Sequence, residues 1–182
     1  MSAISSKLTY EHLQQMPDDG KRYEILEGEL AVTPAPSTRH QRVLFELARF
    51  FTRVEDAGYG RAYLAPADVV LDETTVVQPD LFFIAKDRLH IVTEQNIQGP
   101  PDLAVEVPSE TTRKRDLGAK LRLYAQFGIS HYWVVDPDTR TVRTLRLADS
   151  AYQEDPTLAE RDVFGSPLFP GITLPLAEVF AD

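Results

Sequence analysis

The stretch of sequence that decides the fold runs from Pro101 to Tyr124 and reads PDLAVEVPSETTRKRDLGAKLRLY. Its first half holds residues 103–107, a near-continuous apolar run that is typical of a central strand covered on both faces. Its second half predicts a helix over residues 116–127, with Gly128 at the C′ position. A buried strand followed by such a helix indicates a sheet that packs between helices.

The flanking segments predict an α/β or α+β fold with a mixed central sheet between helices and an N-terminal hairpin. The hairpin is expected at residues 22–26 and 29–32, joined at Glu27-Gly28. Apolar residues at helical spacing predict an amphipathic helix over residues 37–54. Further strands are expected at residues 61–64, 67–71, 81–84, 131–135 and, as an edge strand, 141–147, followed by an irregular tail, FPGITLPLAEVF.

Composition limits the class of protein. A chain of 182 residues with 43% hydrophobic and 26% charged residues is expected to form one globular domain, residues 1–182, with a real core. The absence of Cys excludes a disulfide scaffold, a cysteine nucleophile and a thiolate metal site. The start of the chain lacks an apolar segment with a cleavage site, so a cytoplasmic protein without a membrane partner is expected. A net charge of −9 argues against a general nucleic-acid coat.

Glu106 is the strongest single candidate for a functional residue in the sequence. Alternation along its strand places Leu103 and Val105 on one face and Glu106 on the other. A buried carboxylate needs a cation, a hydrogen-bond partner or a proton, because uncompensated burial costs several kcal/mol. The alternative is a partly exposed Glu on an edge strand, or an ion pair without catalytic meaning.

Asp80 lies at the start of a second apolar strand, between Pro79 and Leu81. Carboxylates on two neighbouring buried strands can converge on one divalent cation, and Mg²⁺ selects such oxygen ligands. Pro-Asp pairs are also ordinary turn formers, and that alternative applies to Asp80 taken alone.

Asp116, Lys120 and Tyr124 follow one another at a spacing of four residues, which places them on one side of the predicted helix. Because this helix follows the Glu106 strand, it can deliver the Lys120 ammonium to that face of the sheet. The alternative is an ordinary surface pair between Asp116 and Lys120, worth a few tenths of a kcal/mol.

These motifs resemble the PD-(D/E)XK nuclease superfamily and, within it, the Uma-two group of bacterial endonucleases. The resemblance rests on Pro79-Asp80, Glu106 within PDLAVEVPSETT, Asp116-x-x-x-Lys120-x-x-x-Tyr124, HYWVVDP, YEILEGEL, His40-Gln41 and FPGITLPLAEVF. It covers nearly the whole chain. It implies a restriction-endonuclease-like αβββαβ core and hydrolysis of DNA phosphodiester bonds that depends on Mg²⁺ or Mn²⁺.

The resemblance also implies roles for individual residues. Asp80 and Glu106 match the metal-binding carboxylates, and Glu24 matches a recurrent acidic residue that completes the metal shell or acts as a base. The usual Lys two positions after the Glu is replaced by Pro108, and Lys120 fits the position to which similar families move it. Lys120 would orient the attacking water or neutralise the developing charge.

Weaker candidates surround this set. His40, Asp116 and Tyr124 would support the metal ligands through hydrogen bonds, although a His on an apolar helix face is more often a core or capping residue. Arg113, Lys114 and Arg115 would contact phosphates or form a solvated turn. Cleavage of a duplex needs two active sites, so a homodimer is expected. The alternatives are a nuclease-fold binding protein without turnover, or a metal-dependent hydrolase of another phosphate ester.

Overall fold

The computed structural model describes residues 7–181. Its helices are α1 (Tyr10–Leu13), α2 (Thr38–Asp56), a 3₁₀ helix (Lys86–Ile91), α3 (Arg113–Arg115), a π-helical turn (Asp116–Lys120), α4 (Leu121–Gln126) and α5 (Leu176–Val179). Its strands are β1 (Arg22–Leu26), β2 (Glu29–Thr33), β3 (Gly60–Leu64), β4 (Val69–Asp72), β5 (Thr75–Val77), β6 (Leu81–Ala85), β7 (Ile97–Gln98), β8 (Leu103–Glu106), β9 (His131–Asp136), β10 (Thr141–Ala148), β11 (Ala151–Glu154), β12 (Leu158–Ala159), β13 (Val163–Gly165) and β14 (Thr173–Pro175).

The central sheet has the strand order β11-β10-β9-β8-β6-β3, and β12 also pairs with β10. Strands β8 and β9 are parallel, whereas β6 and β8 are antiparallel, so the prediction of a mixed sheet is confirmed. The apolar run around Val105 forms β8, which lies inside the sheet as predicted.

The prediction that residues 141–147 form an edge strand is wrong. Strand β10 lies between β9 and β11, and β11 follows it through a tight turn at Asp149 and Ser150. Both turn residues have positive φ, 47° and 68°, which a two-residue hairpin turn of type I′ requires. The turn uses neither Asn-Gly nor Asp-Gly, so the usual hairpin signal is missing from the sequence.

The predicted N-terminal hairpin forms as β1 and β2 and extends into a second sheet. That sheet has the strand order β2-β1-β5-β4-β7, with Ile25 of β1 paired to Val76 of β5. Strand β1 therefore has a neighbour on each side, and its residue Glu24 is held in a buried strand rather than in an isolated hairpin.

The two faces of the central sheet support two apolar clusters. Leu81, Val105 and Trp133 face α2 and pack in one cluster with Phe51. Phe82 and its neighbours on the other face pack against the segment from α3 to α4 and part of the second sheet. Because side chains alternate along a strand, Asp80 and Glu106 belong to this second face.

Helix α2 follows the predicted bounds closely. Ser37 is its N-cap, with Oγ accepting a hydrogen bond from the backbone N–H of His40, and Gly58 follows the C-cap residue Ala57. Its buried stripe includes Val43, Leu47 and Phe51, as the spacing predicts.

The second predicted helix is composite, and we call α3, the π-helical turn and α4 the composite helix. It begins at Arg113, three residues before the predicted start, after a turn closed by hydrogen bonds between Ser109 and Thr112.

The C-terminal tail is also more regular than predicted, because β14 pairs with β13 and α5 follows it. No helix in residues 7–181 is both long and apolar enough to cross a membrane.

Gly60 provides a test of how closely β3 approaches β6. A Cβ at this position would lie 2.1 Å from the carbonyl oxygen of Ile84 and 2.9 Å from Cα of Ala85. We expect Gly60→Ala to lower the free energy of unfolding by about 1–3 kcal/mol, as overpacking does.

The measurement is urea unfolding followed by circular dichroism. Gly118→Ala is the matched control, because a Cβ there meets no atom within 4 Å and alanine favours helix by up to about 1 kcal/mol. Equal stability of the two variants would contradict the close approach of the strands.

Candidate active site

The pairing of β6 with β8 brings the two predicted carboxylates together. Leu81 pairs with Val105, and the same antiparallel register continued by one residue sets Asp80 opposite Glu106. Both residues are 2% exposed. They lie on the floor of a cleft of about 390 Å³.

Asp80 is held by three donors from three parts of the chain. Its Oδ1 accepts from Arg22 Nη1 at 2.7 Å, and its Oδ2 accepts from the Val107 backbone N–H at 2.9 Å. His40 Nε2 lies 3.1 Å from the same Oδ2. Burial would raise the pKa of Asp80, but the His40 hydrogen bond and the Arg22 charge outweigh it and hold that pKa below its ordinary value.

Glu106 is held by the composite helix. Its Oε1 accepts from Lys120 Nζ at 2.8 Å and from the Tyr124 hydroxyl at 2.6 Å. The predicted spacing of Lys120 and Tyr124 therefore places both side chains on the Glu106 face of the sheet. Lys120 is itself 2% exposed, so its ammonium is removed from water together with the carboxylate.

Glu24 joins the cluster from β1. Its Oε1 lies 2.8 Å from Lys120 Nζ and accepts from the Gln78 backbone N–H at 2.8 Å. Arg115 Nη2 lies 3.6 Å from Glu24 Oε2 and donates to the Thr33 hydroxyl at 2.5 Å. Glu24 therefore contacts the lysine and an arginine of the composite helix, and these contacts direct its carboxylate toward that helix.

Asp116 lies at the edge of the same cluster. Its Oδ1 is 4.0 Å from Lys120 Nζ and 3.8 Å from Arg115 Nε. This oxygen is buried and has no hydrogen-bond partner among the described residues. The residue begins the π-helical turn that ends at Lys120. Such turns are rare and often occur at functional sites.

The cluster contains one more acidic group than basic groups. Its carboxyls are Glu24, Asp80, Glu106 and Asp116, and its cations are Arg22, Arg115 and Lys120.

Burial raises the pKa of Glu106 to about 8, even though the Lys120 charge opposes the shift. Burial would lower the pKa of Lys120, but the charges of Glu106 and Glu24 outweigh it and raise that pKa above its ordinary value. The neighbouring carboxylates therefore favour the ammonium form of Lys120, whereas burial favours the protonated form of Glu106.

The three predicted phosphate contacts separate in the structure. Arg113 is paired with Asp136 and Asp138, and Lys114 is exposed. Arg115 lines the cleft, together with Arg39 at its mouth. Of the predicted basic loop, Arg115 is the residue that reaches the candidate site.

The donor chemistry of Asp80 and Glu106 fits a hard divalent cation. Such cations bind one or two carboxylates together with waters and substrate phosphate oxygens. Glu106 lines the cleft, and its Oε2 has no hydrogen-bond partner among the described residues. Residues 7–181 contain no group of three or more His, Cys, Asp or Glu side chains arranged to hold a metal. A cation here would therefore depend on two carboxylates and on ligands from water and substrate.

Arg22 is the residue that the sequence predictions missed. It shares a face of β1 with Glu24, two residues away, and that spacing was the available signal. Its partner Asp80 is 58 residues distant, so the pairing depends on how the two sheets meet.

The fold and the cleft define a restriction-endonuclease-like protein. The chain is similar in fold to a crystal structure described as "a putative nuclease belonging to DUF820" from Anabaena variabilis ATCC 29413. The TM-score is 0.79 at 18% sequence identity, over 95% of this chain and 97% of that chain. No curated protein matches the chain at a significant level.

A family model named Uma2, with the description "Putative restriction endonuclease", matches residues 10–177. The chain belongs to the Uma2 family. The resemblance predicted from the sequence motifs is thereby confirmed.

The Glu106 pKa predicts how stability varies with pH in metal-free buffer. Because the folded value of about 8 exceeds the ordinary value of 4.5, the folded state holds the proton more tightly. Stability should therefore fall as pH rises from about 4.5 to about 8, by up to about 1.4 kcal/mol per pH unit. Glu106→Gln, whose amide oxygen can still accept from Lys120 and Tyr124, should lack this contribution.

The measurement is urea unfolding of both proteins at pH 5, 6.5 and 8. The variant should gain stability relative to the wild type as the pH rises. A stability difference that stays constant across the window would contradict the raised pKa.

Proposed function

We propose that this protein is a metal-dependent endonuclease that hydrolyses phosphodiester bonds of DNA. The observation that carries the proposal is the Lys120 ammonium, 2.8 Å from Glu106 and 2.8 Å from Glu24, on a cleft floor shared with Asp80. Two carboxylates and a lysine on neighbouring elements are the groups that such hydrolysis needs. Membership of the Uma2 family and the nuclease-like fold support the same function.

Asp80 and Glu106 would hold Mg²⁺ or Mn²⁺. The bound cation would lower the pKa of a water molecule and stabilise charge on the scissile phosphate. Glu106 would hold the cation through its ionised carboxylate, because a metal ligand has to be deprotonated. His40 keeps Oδ2 of Asp80 oriented, and Tyr124 does the same for Oε1 of Glu106.

Lys120 would neutralise charge that develops on the phosphate or orient the attacking water. Its position depends on Glu24, which holds the ammonium through Oε1 and is fixed by the Gln78 backbone N–H. These contacts favour Glu24 as the group that positions Lys120 over Glu24 as a direct metal ligand. Arg115 and Arg39, which line the cleft, would contact the flanking phosphates.

The first experiment is a cleavage assay on supercoiled plasmid, linear duplex, single-stranded DNA and RNA. It uses Mg²⁺ or Mn²⁺ and an EDTA control. We expect metal-dependent cleavage of DNA and a loss of about 100-fold or more in Asp80→Asn, Glu106→Gln and Lys120→Met. Lys86→Met, an exposed lysine of the 3₁₀ helix, is the control and should retain activity.

Activity that survives in Asp80→Asn and Glu106→Gln would reject this cleft as the active site. Preference for RNA would reject DNA as the substrate. The plasmid products also test the proposed homodimer, because one active site yields nicked circles whereas two acting together yield linear DNA. Light scattering of the purified protein would then report the oligomeric state.

A second candidate function is a nuclease-fold binding protein without turnover. It is favoured by Asp80, whose two oxygens are already satisfied by Arg22, His40 and a backbone N–H. Calorimetric titration with Mn²⁺ separates the two candidates. The endonuclease requires metal binding that is lost in Asp80→Asn, whereas the binding protein requires none.

A further inference from the structure

Arg22 occupies the place on Asp80 that a metal ion would need. Its Nη1 lies 2.7 Å from Oδ1, while Oδ2 is taken by His40 and the Val107 backbone N–H. The Asp80 side chain is 3% exposed, so no face of the carboxylate is open to bulk water. A cation can therefore bind Asp80 through Oδ1 only after Arg22 has moved.

The Arg22 guanidinium makes few hydrogen bonds for a buried ion pair. The bond to Asp80 is the one side-chain hydrogen bond that Arg22 makes among the described residues, and its Nε is buried without a partner. Arg113, by comparison, donates to both oxygens of Asp136. Arg22 lines the cleft and its side chain is 19% exposed, so rotation toward the cleft does not require the strand to move.

A phosphate in the cleft offers Arg22 a better partner than one carboxylate oxygen. A guanidinium presents a planar fork of N–H donors that matches two phosphate oxygens. The buried Nε, which has no partner on Asp80, would gain one in that arrangement. Transfer of Arg22 to a phosphate would free Oδ1 of Asp80 at the same time.

We propose that Arg22 competes with the metal for Asp80 and is released by a substrate phosphate, so that metal and substrate bind cooperatively. This inference rests on the proposed function, because it describes what controls the binding of the metal ion at the same site. Coupling between two ligands is reciprocal, so an oxyanion that binds Arg22 raises metal affinity by the factor by which metal raises oxyanion affinity. The arrangement keeps the resting protein weakly loaded with metal until a phosphodiester enters the cleft.

The test is calorimetric titration of EDTA-treated, dialysed protein with Mn²⁺, without nucleic acid. The titration is run in sodium chloride and again with sodium sulfate at equal ionic strength, because sulfate presents the tetrahedral oxygens of a phosphate. We expect Arg22→Gln to bind Mn²⁺ about tenfold more tightly than the wild type in chloride. We expect sulfate to tighten Mn²⁺ binding by the wild type about tenfold and to leave Arg22→Gln unchanged.

Arg88→Gln is the matched control, because Arg88 forms a 2.7 Å ion pair with Asp102 outside the candidate site. Its Mn²⁺ affinity and its response to sulfate should equal those of the wild type. The comparison of wild type in the two salts needs no variant, so it holds even where Arg22→Gln does not fold. Circular dichroism confirms the fold of each protein before titration.

Two outcomes overturn the role of Arg22 alone. They are wild-type Mn²⁺ binding that sulfate does not change, and an Arg22→Gln affinity equal to or weaker than that of the wild type. A wild type that binds no Mn²⁺ in either salt overturns the metal-dependent function itself, and this inference falls with it. Mn²⁺ binding that persists in Asp80→Asn would show that the metal does not bind Asp80, and this result would also overturn the competition with Arg22.

Discussion

The Lys120 ammonium joins three parts of the fold, because it contacts Glu24 of β1, Glu106 of β8 and, at 4.0 Å, Asp116 of its own helix. Removing an ammonium and a carboxylate from water costs several kcal/mol for each ion, so these groups are tolerated only as a mutually satisfied set. The second sheet, the central sheet and the composite helix therefore have to meet in one arrangement. The cleft lies where they meet, and its chemistry is inseparable from the docking of these elements.

Local sequence carried enough information to predict most residues of this site. Glu106 stands out because it interrupts an apolar strand, and Lys120 stands out because its helix follows that strand directly. Asp80 stands out because it follows Pro79 and directly precedes the apolar strand β6. These residues are predictable because each depends on a short-range pattern, either alternation along a strand or spacing along a helix.

The remaining parts depend on contacts between segments that are distant in sequence. Arg22 reaches Asp80 only because β1 belongs to a second sheet that packs beside the first, and no periodicity in β1 encodes that. The place of β10 inside the sheet depends on a turn at Asp149 and Ser150 that lacks the Asn-Gly or Asp-Gly signal of a hairpin. The overall charge of −9 is equally uninformative about the cleft, where three cations face four carboxylates.

Stability alone gives no reason to bury this cluster. Replacing a buried ion pair by well-packed apolar residues is often neutral, or stabilising by about 1–4 kcal/mol. A fold maintained only for binding at its surface could therefore carry apolar residues in place of Glu106, Lys120 and Tyr124, often with little loss of stability. A buried ammonium held between two carboxylates is useful where a reaction demands a fixed positive charge beside developing negative charge. Phosphodiester hydrolysis makes that demand, because negative charge develops on the phosphate in the transition state.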